Sequence, residues 1–273
     1  MSTLWLVATP IGNLGDLAPR AVEVLASVAL VCCEDTRRTG KLLQHAGIRA
    51  ERLAVCNEHT EFDRIGEVLD VLASGRGVAV VSDAGTPGIS DPGERLVAAA
   101  IEAGHVVSAV PGPAAATMAV TISGFVSGRY VYEGFLPRKG RDRAARLADV
   151  AAEHRTVVLY EAPHRIERTL ADLLDVCGPD RAVAVSRELT KLHEETVRGT
   201  LGSLDIGEPR GEYVIVLGPV EPAVDEATDD AVRSLLVEAI GRGASTRDAA
   251  TSVAEQTGRR RRDVYQLAVD LDV

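Results

Sequence analysis

Aromatic residues are scarce: one Trp, three Phe and five Tyr in 273 residues. A surface that holds nucleic acid by stacking successive bases on aromatic rings is therefore not expected. Cysteine is equally sparse, and neither Cys32, Cys33, Cys56 and Cys177 nor the six histidines fall in a zinc-ligand spacing, so buried thiols and no metal are expected. No apolar run approaches the roughly 20 residues of a membrane-spanning helix. The opening Met1-Ser2-Thr3-Leu4-Trp5 runs straight into a strand-like segment without a basic leader, which together predict a cytoplasmic protein with no membrane association. Neither a Gly-x-Gly-x-x-Gly fingerprint nor a Gly-Lys-Ser/Thr phosphate loop is present, which removes support from nicotinamide and ATP chemistry. Internal repeats and low-complexity tracts are absent too. Thirty basic against forty acidic residues leave a net charge of −10, which argues against a protein coated in nucleic-acid-binding charge.

What is there describes a folded protein: 46% apolar and 26% charged residues. The length exceeds the comfortable size of one core and predicts two domains with a small appendage. Segments 4–8, 28–33, 77–82 and 105–110 have strand character and alternate with helical patterns at 17–27, 37–46, 61–74 and 93–103, the arithmetic of an α/β layer with a parallel sheet. In the third of these helices Ile65, Val68, Leu69 and Leu72 recur at one-face spacing. Beyond residue 120 the strand candidates 130–134, 156–160, 182–186, 194–200 and 212–217, with helices at 141–153 and 164–176, point to a second, mixed sheet. The acid- and proline-bearing segment 219–230 reads as a linker. Expected domains are 1–118, 119–220 and 225–273.

The last domain has helix-turn-helix spacing. Ser245-Thr246-Arg247-Asp248 is a capping-box variant that opens a helix to about Gln256, Thr257-Gly258 supplies a turn, and a second helix starts near Arg259. Ala249, Ala250 and Val253 mark the apolar face of the first helix; Val264, Leu267, Ala268 and Leu271 mark that of the second. Four consecutive arginines, Arg259, Arg260, Arg261 and Arg262, oppose the helix dipole, a cost that contact with a polyanion would offset. A second basic stretch, residues 137–146, carries five cations and one acid, with Arg138, Lys139, Arg141 and Arg143 in a glycine-containing loop.

Three loops rich in glycine and proline follow strand candidates: Thr9 to Gly15, Ser82 to Gly93, and Val110 to Ala116. They fall at the carboxyl edge where open α/β sheets bind ligands. Taken singly, each is more often a tight turn than a binding site; three together, with Asp83 in the middle, shift the balance.

These loops and the segments around them resemble the tetrapyrrole-methylase superfamily, and within it the small-subunit ribosomal RNA methyltransferase I family. The resemblance is carried by Val7-Ala8-Thr9-Pro10-Ile11-Gly12-Asn13-Leu14, Glu34-Asp35-Thr36-Arg37, the 82–93 loop, Val110-Pro111-Gly112-Pro113, Gly134-Phe135-Leu136-Pro137-Arg138-Lys139-Gly140, Tyr160-Glu161-Ala162-Pro163-His164-Arg165 and Arg187-Glu188-Leu189-Thr190-Lys191. It implies a class III methyltransferase fold of two α/β domains plus a small C-terminal helical domain. It also implies S-adenosyl-L-methionine as cofactor, 2′-O-methylation of a cytidine ribose in 16S ribosomal RNA of the small subunit, and a homodimer.

Carried over by position, the resemblance implies that Pro10, Gly12, Asp83, Ala84, Gly85, Ile89, Pro111, Gly112, Ala115, Glu161 and Ala162 surround the cofactor. Asp83 has a physical rationale, since a carboxylate makes a charge-assisted bond to the methionine ammonium. No single proton acceptor stands out among Glu34, Asp35, Glu161 and Glu188. Arg37, Arg165, Arg187 and Lys191 join the two basic segments as expected phosphate contacts. Two other functions share parts of this pattern: a methyltransferase acting on a tetrapyrrole such as a corrinoid precursor, and a noncatalytic RNA-binding assembly factor. The Pro-Arg-Lys-Gly loop and basic terminal helix weigh against the first, and the cofactor loops against the second.

Overall fold

The computed structural model describes residues 2–125, 128–220 and 228–271. The chain divides into two compact units, Met1–Pro219 and Val220–Val273.

The first unit begins with a parallel sheet. Its elements in chain order are β1 (Thr3–Val7), α1 (Pro19–Ser27), β2 (Leu30–Cys33), α2 (Thr36–His45), β3 (Leu53–Val55), α3 (Glu61–Ala73), β4 (Val78–Val81), α4 (Glu94–Glu102) and β5 (Val106–Val110). The strands lie in the order β3-β2-β4-β1-β5. Residues of β2 and β4 are buried throughout because both faces of the sheet are covered by helices. Leu30, Cys32, Val78 and Val80 point into one core with Val68, Leu72 and Leu96. Val31, Cys33, Ala79 and Val81 point into the other with Leu25 and Leu43. Strand β3, only Leu53-Ala54-Val55, has no signal in the sequence: three residues are too few to display a period.

The second sheet follows α5 (Ala115–Ser123) and contains β6 (Tyr130–Phe135), α6 (Gly140–Ala152), β7 (Thr156–Glu161), α7 (Ile166–Cys177), β8 (Ala182–Arg187), β9 (Glu195–Thr200) and β10 (Tyr213–Leu217). Strand order is β6-β7-β10-β8-β9, with only β6 and β7 parallel. The period-2 alternation is visible in the packing. Val157, Leu159, Ile215 and Leu217 face the core under α6 and α7, whereas Val158, Val214 and Val216 face α5. Helix α5 contains the expected boundary at 118, and its buried Ala116, Ala119 and Val120 pack on the second sheet. The Ala-rich run gives little contrast between faces, so periodicity does not disclose this helix.

The second unit holds α8 (Asp229–Gly241), α9 (Thr246–Thr257) and α10 (Arg261–Val269) around Val232, Leu236, Ala250, Val253, Val264 and Ala268. The cap takes the expected variant form, with the return bond between side chains: the Asp248 N–H donates to Ser245 Oγ at 3.2 Å and that hydroxyl donates to Asp248 Oδ2 at 2.6 Å. Gly258, in the left-handed region at φ 68°, makes the turn. Two expectations need correction. Residues 221–227 of the expected linker lie outside the described residues, but Asp229 and Asp230 begin α8 behind the Thr228 cap. The four arginines do not all open the last helix: Arg260 is its N-cap and only Arg261 and Arg262 sit in its first turn. The electrostatic conflict with the dipole is correspondingly smaller. Among the described residues no helix is long and apolar enough to cross a membrane.

Candidate active site and cofactor cavity

The non-sequential strand order places β2 beside β4, with Cys33 opposite Val81. The residues that follow these two strands therefore meet, although 49 positions separate Glu34 from Asp83. The Asp83 N–H donates to Glu34 Oε1 at 2.8 Å, and the Asp35 N–H donates to Asp83 Oδ1 at 3.2 Å. Arg38, in the first turn of α2, pairs with Asp83 Oδ2 at 3.2 Å. The loop after β1 is tied to the loop after β4 by a two-way backbone bridge: Thr9 N–H donates to Gly85 O at 2.8 Å and Gly85 N–H to Thr9 O at 3.1 Å. Gly85 has φ 86°, a left-handed conformation that suits glycine.

Beside these loops lies a cavity of about 500 Å³, within the size range of small-ligand pockets. One wall is acidic: Glu34, Asp83 and Asp91 all line it, with Arg38 near them. Burial, reinforced by the Glu34 charge and then that of Asp83, pushes the Asp91 carboxyl up to about 7. Glu34 is shifted in the same direction, mainly by burial, with the Asp83 N–H hydrogen bond opposing. Three carboxyl groups line one wall, and the raised proton affinity of Glu34 and Asp91 marks a site that a cation would stabilise.

Ile11, Ala84, Ile89, Ala114, Ala115, Leu189 and Val214 supply apolar wall, and Tyr160, Glu161, Ala162 and His164 reach it from the end of β7. Tyr160 Oη accepts the Ala116 N–H at 2.9 Å, joining the second sheet to the start of α5. Ser90 and Tyr132 share a 2.6 Å hydroxyl contact, a further tie across the first unit. Glu161 is nearly sealed, and its carboxylate is occupied: Thr169 Oγ1 donates to it at 2.7 Å, the Ala162 N–H at 2.9 Å, and Arg165 pairs with it at 3.1 Å.

The expected cofactor residues thus separate into two groups. Asp83, Ala84, Gly85, Ile89, Ala115, Glu161 and Ala162 line the cavity; Pro10, Gly12, Pro111 and Gly112 do not. Pro10 lines a smaller neighbouring cavity, Gly12 packs so closely under Lys191 and Thr190 that a Cβ would collide with them, and Gly112 packs on Ala8.

Among the expected proton acceptors, Asp35 caps α2 and is held well below the usual carboxylate range by its side-chain and backbone bonds from Arg37. Glu188 is lowered chiefly by its bond from Lys191. The expected phosphate contacts need correction at two positions. Arg143 is only 4% exposed and donates to Asp172, the Pro137 carbonyl and Thr169 at 2.7–3.0 Å; it braces α6 against α7. Arg259 is largely covered and bound to Asp229. Arg37, Arg165, Arg187 and Lys191 are engaged by Asp35, Glu161, Glu195 and the Glu188/Glu212 pair. Arg138, Lys139, Arg141 and Arg260 to Arg262 remain exposed. Sequence reasoning missed Asp91, Arg38 and Tyr160. Only the fold joins them to the loops, although Asp91 stands inside the 82–93 segment.

A family model described as Tetrapyrrole (Corrin/Porphyrin) Methylases matches residues 3–205, and one described as RsmI C-terminal HTH domain matches 225–272. Among solved structures, the methyltransferase CobJ superposes with a TM-score of 0.62 at 20% identity, covering 79% of this chain and 93% of that one. Cobalt precorrin-4 methyltransferase superposes at 0.58 and 18%, covering 80% and 95%. The architecture is that of the tetrapyrrole methylases, the class III methyltransferase fold, with a C-terminal helical domain.

The ribosomal RNA small subunit methyltransferase I of Synechocystis sp. is 45% identical over 281 residues, spanning 100% of this chain and 99% of that protein. That of Mycobacterium tuberculosis H37Rv is 43% identical over 272 residues, 97% and 94% of the two chains. That of Escherichia coli O157:H7 is 40% identical over 273, 98% and 94%. The chain belongs to the ribosomal RNA small subunit methyltransferase I family.

Proposed function

We propose that this chain is a methyltransferase that uses S-adenosyl-L-methionine to methylate the ribose 2′-oxygen of a cytidine in 16S ribosomal RNA of the small subunit, in the cytoplasm. The observation that carries the activity is the acidic wall of Glu34, Asp83 and Asp91 in a cavity otherwise lined by small and apolar groups. That donor set fits a ligand bearing a sulfonium and an ammonium beside an apolar body. When bound, the cofactor supplies an electrophilic methyl group. The residues of this chain bind and align: Asp83 holds the ammonium, Gly85 and Ala115 permit close approach, and the wall around Tyr160 to Ala162 keeps water from the reacting atoms.

As the hydroxyl oxygen is methylated its proton leaves, and Glu34 or Asp91, whose proton affinity burial has raised, takes it. Asp35 and Glu188, stabilised as anions by Arg37 and Lys191, are weaker acceptors. Exposed Arg138, Lys139, Arg141 and Arg260 to Arg262 supply phosphate contacts, and a homodimer doubles that basic surface. The test is transfer of labelled methyl to small subunits lacking the modification, followed by nucleoside mass spectrometry. Labelled 2′-O-methylcytidine supports the assignment. Cofactor binding without transfer to the subunit or its RNA overturns it in favour of a small-molecule acceptor.

Asp91 gives the cofactor site a pH signature. Its folded value near 7 lies above its ordinary one, so the neutral form is favoured by folding and its stabilising contribution is lost as pH rises through about 7. A cation has the opposite preference and binds the ionised form. S-adenosylmethionine affinity is therefore expected to rise between about pH 6 and 8, with protons released on binding. Calorimetry in buffers of different ionisation enthalpy measures that release. Asp91→Asn is expected to flatten the dependence, and a wild-type release of zero would separate Asp91 from the cation.

A further inference from the structure

We infer that the smaller cavity beside the cofactor site is the acceptor slot, taking one unpaired nucleotide of the RNA. This rests on the methyltransferase assignment above and says where its second substrate binds. The cavity, about 290 Å³, is lined by Pro10, Leu14 and Leu42 as apolar walls and by Arg38 and Lys41 as cations. It shares Arg38 and Asp83 with the cofactor cavity, so a group seated in it lies next to the bound methyl donor.

Arg38 and Lys41 stand three positions apart in α2 and project on the same side of the helix. Lys41 is exposed and has no ion-pair partner among the described residues. Arg37, in contrast, is engaged by Asp35. Apolar walls with cations on the rim match the two surfaces of a nucleotide, a flat base and ribose against a charged phosphate.

Size narrows the ligand further. At a liquid share of about 30 Å³ per water, the slot holds on the order of ten waters, room for one nucleoside but not for a stacked pair. The target must therefore be out of its stack, in a single-stranded segment or flipped from a helix. The Thr9–Gly85 bridge ties the loop bearing Pro10 and Leu14 to the loop after β4, whose Asp83 lines both cavities.

The proposal is tested in the full-length protein with small ribosomal subunits lacking the modification as acceptor. Leu14→Trp, at a half-exposed position that lines this cavity and not the larger one, fills the slot. It is expected to lower methyl transfer about tenfold while calorimetric affinity for S-adenosylmethionine stays within about twofold of wild type. Lys41→Glu, at an exposed site where folding is not at stake, is expected to raise KM about fivefold with kcat little changed. Lys41→Gln should reduce the slope of log affinity against log salt by about one. Wild-type transfer by both Leu14→Trp and Lys41→Glu overturns the slot, as does loss of cofactor affinity in step with transfer. Failure of the wild-type protein to methylate the subunits removes the RNA assignment itself, and the slot with it.

Discussion

Replacing Asp83 with Asn is expected to weaken S-adenosylmethionine binding by about 10- to 150-fold, the equivalent of one charge-assisted hydrogen bond of roughly 1.5–3 kcal/mol. Two effects act in the same direction. The substitution removes an anion from the acidic wall, and it releases Arg38, which pairs with Asp83 Oδ2 at 3.2 Å, as an uncompensated cation facing a cationic ligand. The Asp35 N–H bond to Oδ1 can be kept by the Asn carbonyl, so the loop is expected to retain its path. Calorimetry with S-adenosylmethionine and with S-adenosylhomocysteine, the thioether that lacks the sulfonium charge, separates the contacts. If Asp83 binds the ammonium, which both ligands carry, both lose affinity equally. A loss confined to S-adenosylmethionine would assign Asp83 to the sulfonium, and no loss with either would remove it from the cofactor site.

The acidic wall marks the division between what the sequence discloses and what only the fold assembles. Strands β2 and β4 are buried apolar runs, and glycine and proline punctuate the loops that follow, so both the layer and its ligand-bearing edge are legible in the chain. The pairing of β2 with β4 is not, because strand order depends on long-range packing that no local window contains. Hence Glu34 and Asp83 stand in separate motifs, and their 2.8 Å contact has no sequence signal. Charge is misleading for a related reason. Arg143 and Arg138 look alike in a basic loop, yet α6 begins at Gly140 and turns Arg143 inward to Asp172 and Thr169, while Arg138, ahead of the helix, stays in solvent. The run of four arginines likewise hides a division, since Arg259 is bound to Asp229 of α8, a helix without a strong apolar period.

Glu61 carries the second large effect, and nothing in its sequence setting distinguishes it from any acid in a first helical turn. Its side chain is buried, 5% exposed, and Oε1 accepts the N–H groups of Gly93, Arg95 and Leu96 at 2.9, 2.9 and 3.2 Å. These are orphan donors at the start of α4, whose N-cap, Gly93, has no side chain to satisfy them. An acid from α3 thus caps α4, and the helix dipole favours its charge. The same bonds anchor Gly93, the last residue of the cofactor loop.

Glu61→Ala leaves three donors unpaired, two of them buried, at about 1–3 kcal/mol for each that water cannot reach. A total near 3 kcal/mol is expected, a fall of roughly 6–12 °C in Tm. Glu61→Gln keeps an acceptor oxygen and is expected to lose less than half as much. The Ala variant should also bind S-adenosylmethionine about tenfold more weakly at temperatures where it is fully folded, because Ser90 and Asp91 are then free to leave the cavity wall. A lowered Tm with unchanged cofactor affinity would limit Glu61 to capping α4; a matched loss of both in Ala, restored in Gln, would make it the residue that positions the loop.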